Sequence, residues 1–142
     1  MIARSVGGAL VLGSALMLWG GAVPAPRECA PGKPCACSGS EACELTCVPD
    51  AKRPARGCDF SCSGTASCTF HCPEGGCSSR SSGTGATELT CEGGDCTMTC
   101  SGPGTCELND CRSGCRLVCG GTGVCENDCS GPGCSCSGRG CQ

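Results

Sequence analysis

Segments of the form Cys-x-apolar-x-Cys recur along the chain, as in Cys58-Asp59-Phe60-Ser61-Cys62 and Cys68-Thr69-Phe70-His71-Cys72. Side chains alternate along a strand, so the two cysteines and the central apolar residue share one face and the polar residues share the other. This pattern predicts short, half-buried β-strands. Between them lie Ser63-Gly64-Thr65-Ala66, Ser82-Gly83-Thr84-Gly85, Ser101-Gly102-Pro103-Gly104 and Gly120-Gly121-Thr122-Gly123, which read as turns. Glycine recurs too often for helix.

The strand pairs belong to a repeat. Cys58, Cys77, Cys96, Cys115 and Cys134 stand 19 residues apart, four times in succession. Counting positions from these cysteines, the complete repeats are Cys58–Gly76, Cys77–Asp95, Cys96–Gly114 and Cys115–Gly133. A first repeat fits Lys33–Ala51, followed by an inserted loop at 52–57 whose basic residues and proline mark the expected site of proteolytic nicking. Cys134 to Gln142 is a partial sixth unit. A fixed period near 20 predicts stacked units. The expected fold is all-β, a narrow disulfide-stapled β-solenoid of about 19 residues per coil. The alternative is a disulfide-linked antiparallel meander or hairpin array.

Cysteines at the two ends of one strand segment are roughly 13 Å apart and cannot bridge each other. Chain reversal places position 5 opposite position 11 and position 1 opposite position 15. The third repeat has Ser81 and Thr87 where positions 5 and 11 should be cysteine, so both partners of one expected bridge are replaced together. The expected pairs are Cys37–Cys43, Cys58–Cys72, Cys62–Cys68, Cys77–Cys91, Cys96–Cys111, Cys100–Cys106, Cys115–Cys129, Cys119–Cys125 and Cys136–Cys141. Cys35–Cys47 completes the set and leaves Cys29 and Cys134 as candidate free or intermolecular thiols. In the fourth repeat Asp110 holds position 15 and Cys111 follows it, which predicts a bulge compensated before Cys115.

Residues 1–22 read as an export signal. One charge, Arg4, precedes an uncharged apolar run from Val6 to Trp19, and Gly20-Gly21-Ala22 supplies small residues before a cleavage point. The run is shorter than the ~20 residues a membrane span needs, so no stable span is expected after cleavage. Residues 23–32 are expected to form a linker and 33–142 the repeat domain.

Composition sharpens this picture. All 22 cysteines follow the leader, an even number that in an exported chain indicates a disulfide framework. The larger apolar residues after the leader are few, and ordering each residue costs on the order of 1.5 kcal/mol. Disulfides, each worth ~2–4 kcal/mol, are expected to supply what burial does not. Removing Arg4 with the leader takes the formal net charge from −3 to −4, which argues against a nucleic-acid partner.

The candidate chemistry is sparse. Position 12 carries Glu44, Thr69, Glu88, Glu107 and Glu126 on the expected outward face. Stacked carboxylates repel one another, and Glu88, Glu107 and Glu126, joined by Asp128, form a candidate weak cation site of hard oxygen ligands. The same row also reads as a solvated acidic face. His71 is the single histidine and is expected on the surface. No catalytic group, cofactor or structural metal is expected. Cys35-Ala36-Cys37 and Cys134-Ser135-Cys136 have metal-thiolate spacing, which makes a metal-thiolate protein a competing class. Insect antifreeze proteins are similar in having narrow coils with inward cysteines, but Thr97-Met98-Thr99 is the chain's one Thr-x-Thr segment and charged residues flank it.

The Ser-Gly-x-Gly-x-Cys-x-apolar-x-Cys strings over Cys35 to Cys136 resemble the cysteine-rich repeat proteins among uncharacterised exported proteins of myxobacteria. That resemblance implies no activity. The functional expectation is a secreted, non-enzymatic scaffold with a structural, surface or adhesion role and an extracellular surface or matrix partner. An extracellular binding or toxin-like effector protein is the alternative.

Overall fold

A computed structural model describes residues 26–53 and 57–142. The expected signal segment and the middle of the inserted loop lie outside the described residues. Twelve strands follow one another with no helix between them: β1 (Arg27–Cys29), β2 (Pro34–Cys37), β3 (Cys43–Cys47), β4 (Asp59–Cys62), β5 (Cys68–His71), β6 (Ser78–Ser81), β7 (Thr87–Thr90), β8 (Thr97–Cys100), β9 (Cys106–Cys111), β10 (Arg116–Cys119), β11 (Cys125–Cys129) and β12 (Ser135–Gly138). Odd-numbered strands form one six-stranded sheet and even-numbered strands the other, each in sequential order. Every pairing within the two sheets is parallel. The chain is therefore a β-solenoid of about six turns with about 19 residues per turn, and the meander alternative, which requires antiparallel neighbours, does not occur.

Register follows the repeat. Phe60, Ser79, Met98, Leu117 and Cys136 stand above one another on the even-numbered sheet. Leu45, Phe70, Leu89, Leu108 and Asn127 do so on the odd-numbered sheet. These two inward ladders meet between the sheets. Phe60 and Phe70 stack with ring centroids 4.6 Å apart and planes 5° from parallel. Cysteines flank the ladders and make up most of the remaining buried surface.

The turns must stack as closely as the strands. A Cβ on Gly102 would lie 2.2 Å from the Gly83 carbonyl oxygen, and one on Gly104 would lie 2.1 Å from that of Gly85. Only glycine lets successive turns approach at the ~4.8 Å strand spacing.

Eleven disulfides hold the stack, and no described cysteine is free. Cys37–Cys43, Cys62–Cys68, Cys100–Cys106 and Cys119–Cys125 close the turn between positions 5 and 11, as expected. Cys136–Cys141 closes the shortened turn of the last unit.

The bridges expected between positions 1 and 15 of the same repeat are corrected. Cys58–Cys72, Cys77–Cys91, Cys96–Cys111 and Cys115–Cys129 do not form. Instead position 15 of each coil joins position 1 of the next, as Cys47–Cys58, Cys72–Cys77, Cys91–Cys96, Cys111–Cys115 and Cys129–Cys134. The cause is the advance of a solenoid: after position 15 the chain rounds a second turn and climbs one rung. Cys72 and Cys77 flank that turn with Cα atoms 6.3 Å apart, inside the bridging range.

The N-terminal assignments change with it. Arg27–Cys29, expected in the linker, forms β1 and pairs with β3 so that Cys29 stacks on Cys47. Cys29 then bridges Cys35, replacing the expected Cys35–Cys47 pair, and neither Cys29 nor Cys134 is a free thiol.

Candidate functional site

The acidic row is in register. Glu44 pairs with Thr69, Thr69 with Glu88, Glu88 with Glu107 and Glu107 with Glu126, all on the outward face of the odd-numbered sheet. Parallel strands place successive members ~4.8 Å apart along the backbone.

Neighbouring side chains break the row into pieces. His71 Nε2 lies 2.9 Å from Glu44 Oε1, with both side chains well exposed. The Asn109 amide donates to Glu88 Oε1 at 2.9 Å. Glu107 and Glu126 remain as adjacent carboxylates. Asp128 has no register partner on β9, because β9 carries one more residue than β11 between Leu108 and Cys111. That extra residue is absorbed at Asp110, whose φ is 53°. Aspartate tolerates this left-handed conformation better than most residues. Asp128 faces an open concavity shared with Glu92, Asp110, Arg112 and Ser130.

This geometry limits the chemistry. Calcium takes 6–8 converging oxygen ligands, whereas the row offers about one carboxylate per rung on an open face. The concavity gathers three carboxylates but places the Arg112 guanidinium among them. The arrangement suits a diffuse attraction for cations and a well-hydrated surface. The exposed His71 ring is engaged by Glu44, with no serine or cysteine nucleophile among its hydrogen-bond partners.

A second feature was missed in the sequence. The bridges between successive coils form a column along one side of the solenoid. The sulfurs of Cys47, Cys72 and Cys77 lie within 4.8 Å of one another, and so do those of Cys72, Cys91 and Cys96, of Cys91, Cys111 and Cys115, and of Cys111, Cys129 and Cys134. Such clusters superficially match metal-thiolate sites. All these sulfurs are in disulfides, however, and the metal ligand is the thiolate. The signal for the column was present in the sequence, as the short interval from each position 15 to the next position 1.

Among the described residues, no helix is long and apolar enough to cross a membrane. No family model matches the chain, and no curated protein or solved structure is detectably similar to it.

Proposed function

We propose that the protein is a secreted, non-enzymatic scaffold with a structural, surface or adhesion role. The observation that carries this reading is the placement of a disulfide at nearly every turn of the stack, with no described cysteine left free. Disulfides at this density form and persist in an oxidising compartment, and the apolar run of Val6 to Trp19 supplies an export route. The resemblance to exported cysteine-rich repeat proteins points the same way. A scaffold needs a rigid body and solvated faces, and the outward rows of short polar and acidic side chains meet that need.

Expression with the intact leader in an exporting host tests the reading. The scaffold reading expects protein outside the cytoplasm, cleaved near Ala22, with no titratable thiol and resistant to proteases outside the 52–57 loop. Cytoplasmic protein carrying free thiols and bound zinc or copper would favour the metal-thiolate class instead.

A further inference from the structure

The bridges of the inter-coil column are not isolated from one another. Each position-15 sulfur lies within 4.8 Å of both sulfurs of the next bridge along, from Cys47 to Cys134 without interruption. Thiol–disulfide exchange needs a thiolate brought to a disulfide sulfur, and each bridge, once opened, would present one to its neighbour. Access is graded: Cys129 and Cys134 are half-buried, whereas Cys47, Cys58, Cys72, Cys77, Cys91, Cys96, Cys111 and Cys115 are buried. The other line of bridges differs, because Ser81 and Thr87 interrupt it at the third coil.

We propose that this column is a thiol-exchange relay, in which opening the accessible Cys129–Cys134 bridge moves a thiol stepwise into the interior of the stack. An external low-molecular-weight thiolate attacks Cys129, forms a mixed disulfide there and releases the Cys134 thiolate. Cys134 attacks Cys111, so a Cys111–Cys134 bond forms, the Cys111–Cys115 bond breaks and Cys115 leaves as thiolate. Cys115 then attacks Cys91 and releases Cys96. Cys96 attacks Cys72 and releases Cys77. Cys77 attacks Cys47 and releases Cys58. Each step makes one S–S bond and breaks one, with a thiolate entering and a thiolate leaving, so only the first event draws on an outside reagent.

The device does not depend on the scaffold reading, since it follows from sulfur positions alone. Its consequence is that reductive damage at the exposed end need not stay there. The column can redistribute one broken bond among five bridges while the bridges that close each turn between positions 5 and 11 stay intact.

The test is the fate of a single thiol. Cys129→Ser removes one sulfur from the terminal bridge and leaves Cys134 unpaired, at the end of the stack where loss of a bridge disturbs folding least. The variant is held at about pH 8.5, where a thiol of ordinary pKa is substantially ionised, then quenched with acid, alkylated and mapped by peptide mass spectrometry. The relay predicts label on Cys115, Cys96, Cys77 and Cys58 that grows with time at that pH and not in acid. It also predicts confinement of label to Cys134 when Cys111→Ser and Cys115→Ser are added. Treating the unmodified protein with less than one equivalent of glutathione gives an independent reading: the mixed disulfide should map to Cys129 and free thiols to the interior positions. Label that stays on Cys134 at all times, or glutathione and free thiol found only within the Cys129–Cys134 pair, would overturn the proposal.

Discussion

Ser81 Oγ and Thr87 Oγ1 lie 2.8 Å apart, both side chains buried, at the two positions where neighbouring coils carry a disulfide. Their strand partners are Cys62 and Cys100 on one sheet and Cys68 and Cys106 on the other. A hydrogen bond thus takes the place of a covalent staple without disturbing the register. Removing one hydroxyl leaves the other buried without a partner, which costs about 1–3 kcal/mol, whereas removing both is closer to neutral. Ser81→Ala should therefore lower the denaturation midpoint more than Ser81→Ala with Thr87→Val. Equal losses from the single and the double variant would show that the pair is not coupled.

The same site should accept the staple it lacks. Ser81→Cys with Thr87→Cys places two cysteines where Cys62–Cys68 and Cys100–Cys106 bridge with Cα separations of 6.1 and 6.6 Å. A loop this short contributes about 2 kcal/mol of cross-linking, offset by the lost hydrogen bond at about 1 kcal/mol. The expected outcome is a protein with no titratable thiol and a modestly raised melting temperature. Two reactive thiols in the folded double variant would mean that the third coil is shaped differently from its neighbours.

Turn stacking makes Gly102 sensitive in a way that its setting in a surface turn conceals. A methyl group there meets the Gly83 carbonyl at 2.2 Å, and backbone on both sides has little room to yield. Gly102→Ala should cost on the order of 1–3 kcal/mol as an overpacked contact, measured by chemical denaturation. Thr97→Ala, on the outward face of the adjacent strand, should fall within about 0.5 kcal/mol of the parent.

Ser79 offers a gain in stability. Its hydroxyl is buried between Phe60 and Met98 in the inward ladder and has no hydrogen-bond partner. Ser79→Ala removes a desolvated polar group at little loss of volume and should raise stability by about 1 kcal/mol. A destabilised alanine variant would indicate that the hydroxyl is satisfied in solution.

The all-β solenoid and its period were legible because cysteine and glycine mark fixed positions, and few other residue types could occupy them. The position 5–11 bridges were legible for a second reason: Ser81 and Thr87 replace both partners of one bridge, so that coil serves as a natural control. Positions 1 and 15 offered no such control. Both are filled in the complete repeats, apart from the one-residue shift at Cys111, so pairing within a coil and pairing to the next coil leave the same internal pattern. The difference shows only at the ends. Cys47 has Lys33 at position 1 of its own coil and Cys134 has no position 15 in the sixth unit, a remainder that a one-coil displacement of every bridge removes. Side-chain contacts were less legible. The acidic row was placed correctly on one face, but its division by His71 and Asn109 depends on which rotamers meet across adjacent strands, and the repeat does not encode that.

The solenoid is a stack in which each coil from the first to the sixth is bridged to the next. Disulfide mapping of the unreduced protein tests this most directly, because Glu92 lies between Cys91 and Cys96 and Arg112 lies between Cys111 and Cys115. Cleavage at those residues should yield peptides joined as Cys91–Cys96 and Cys111–Cys115, which separate only on reduction. Peptides joined instead as Cys77–Cys91 and Cys96–Cys111 would place both bridges within single coils and contradict it.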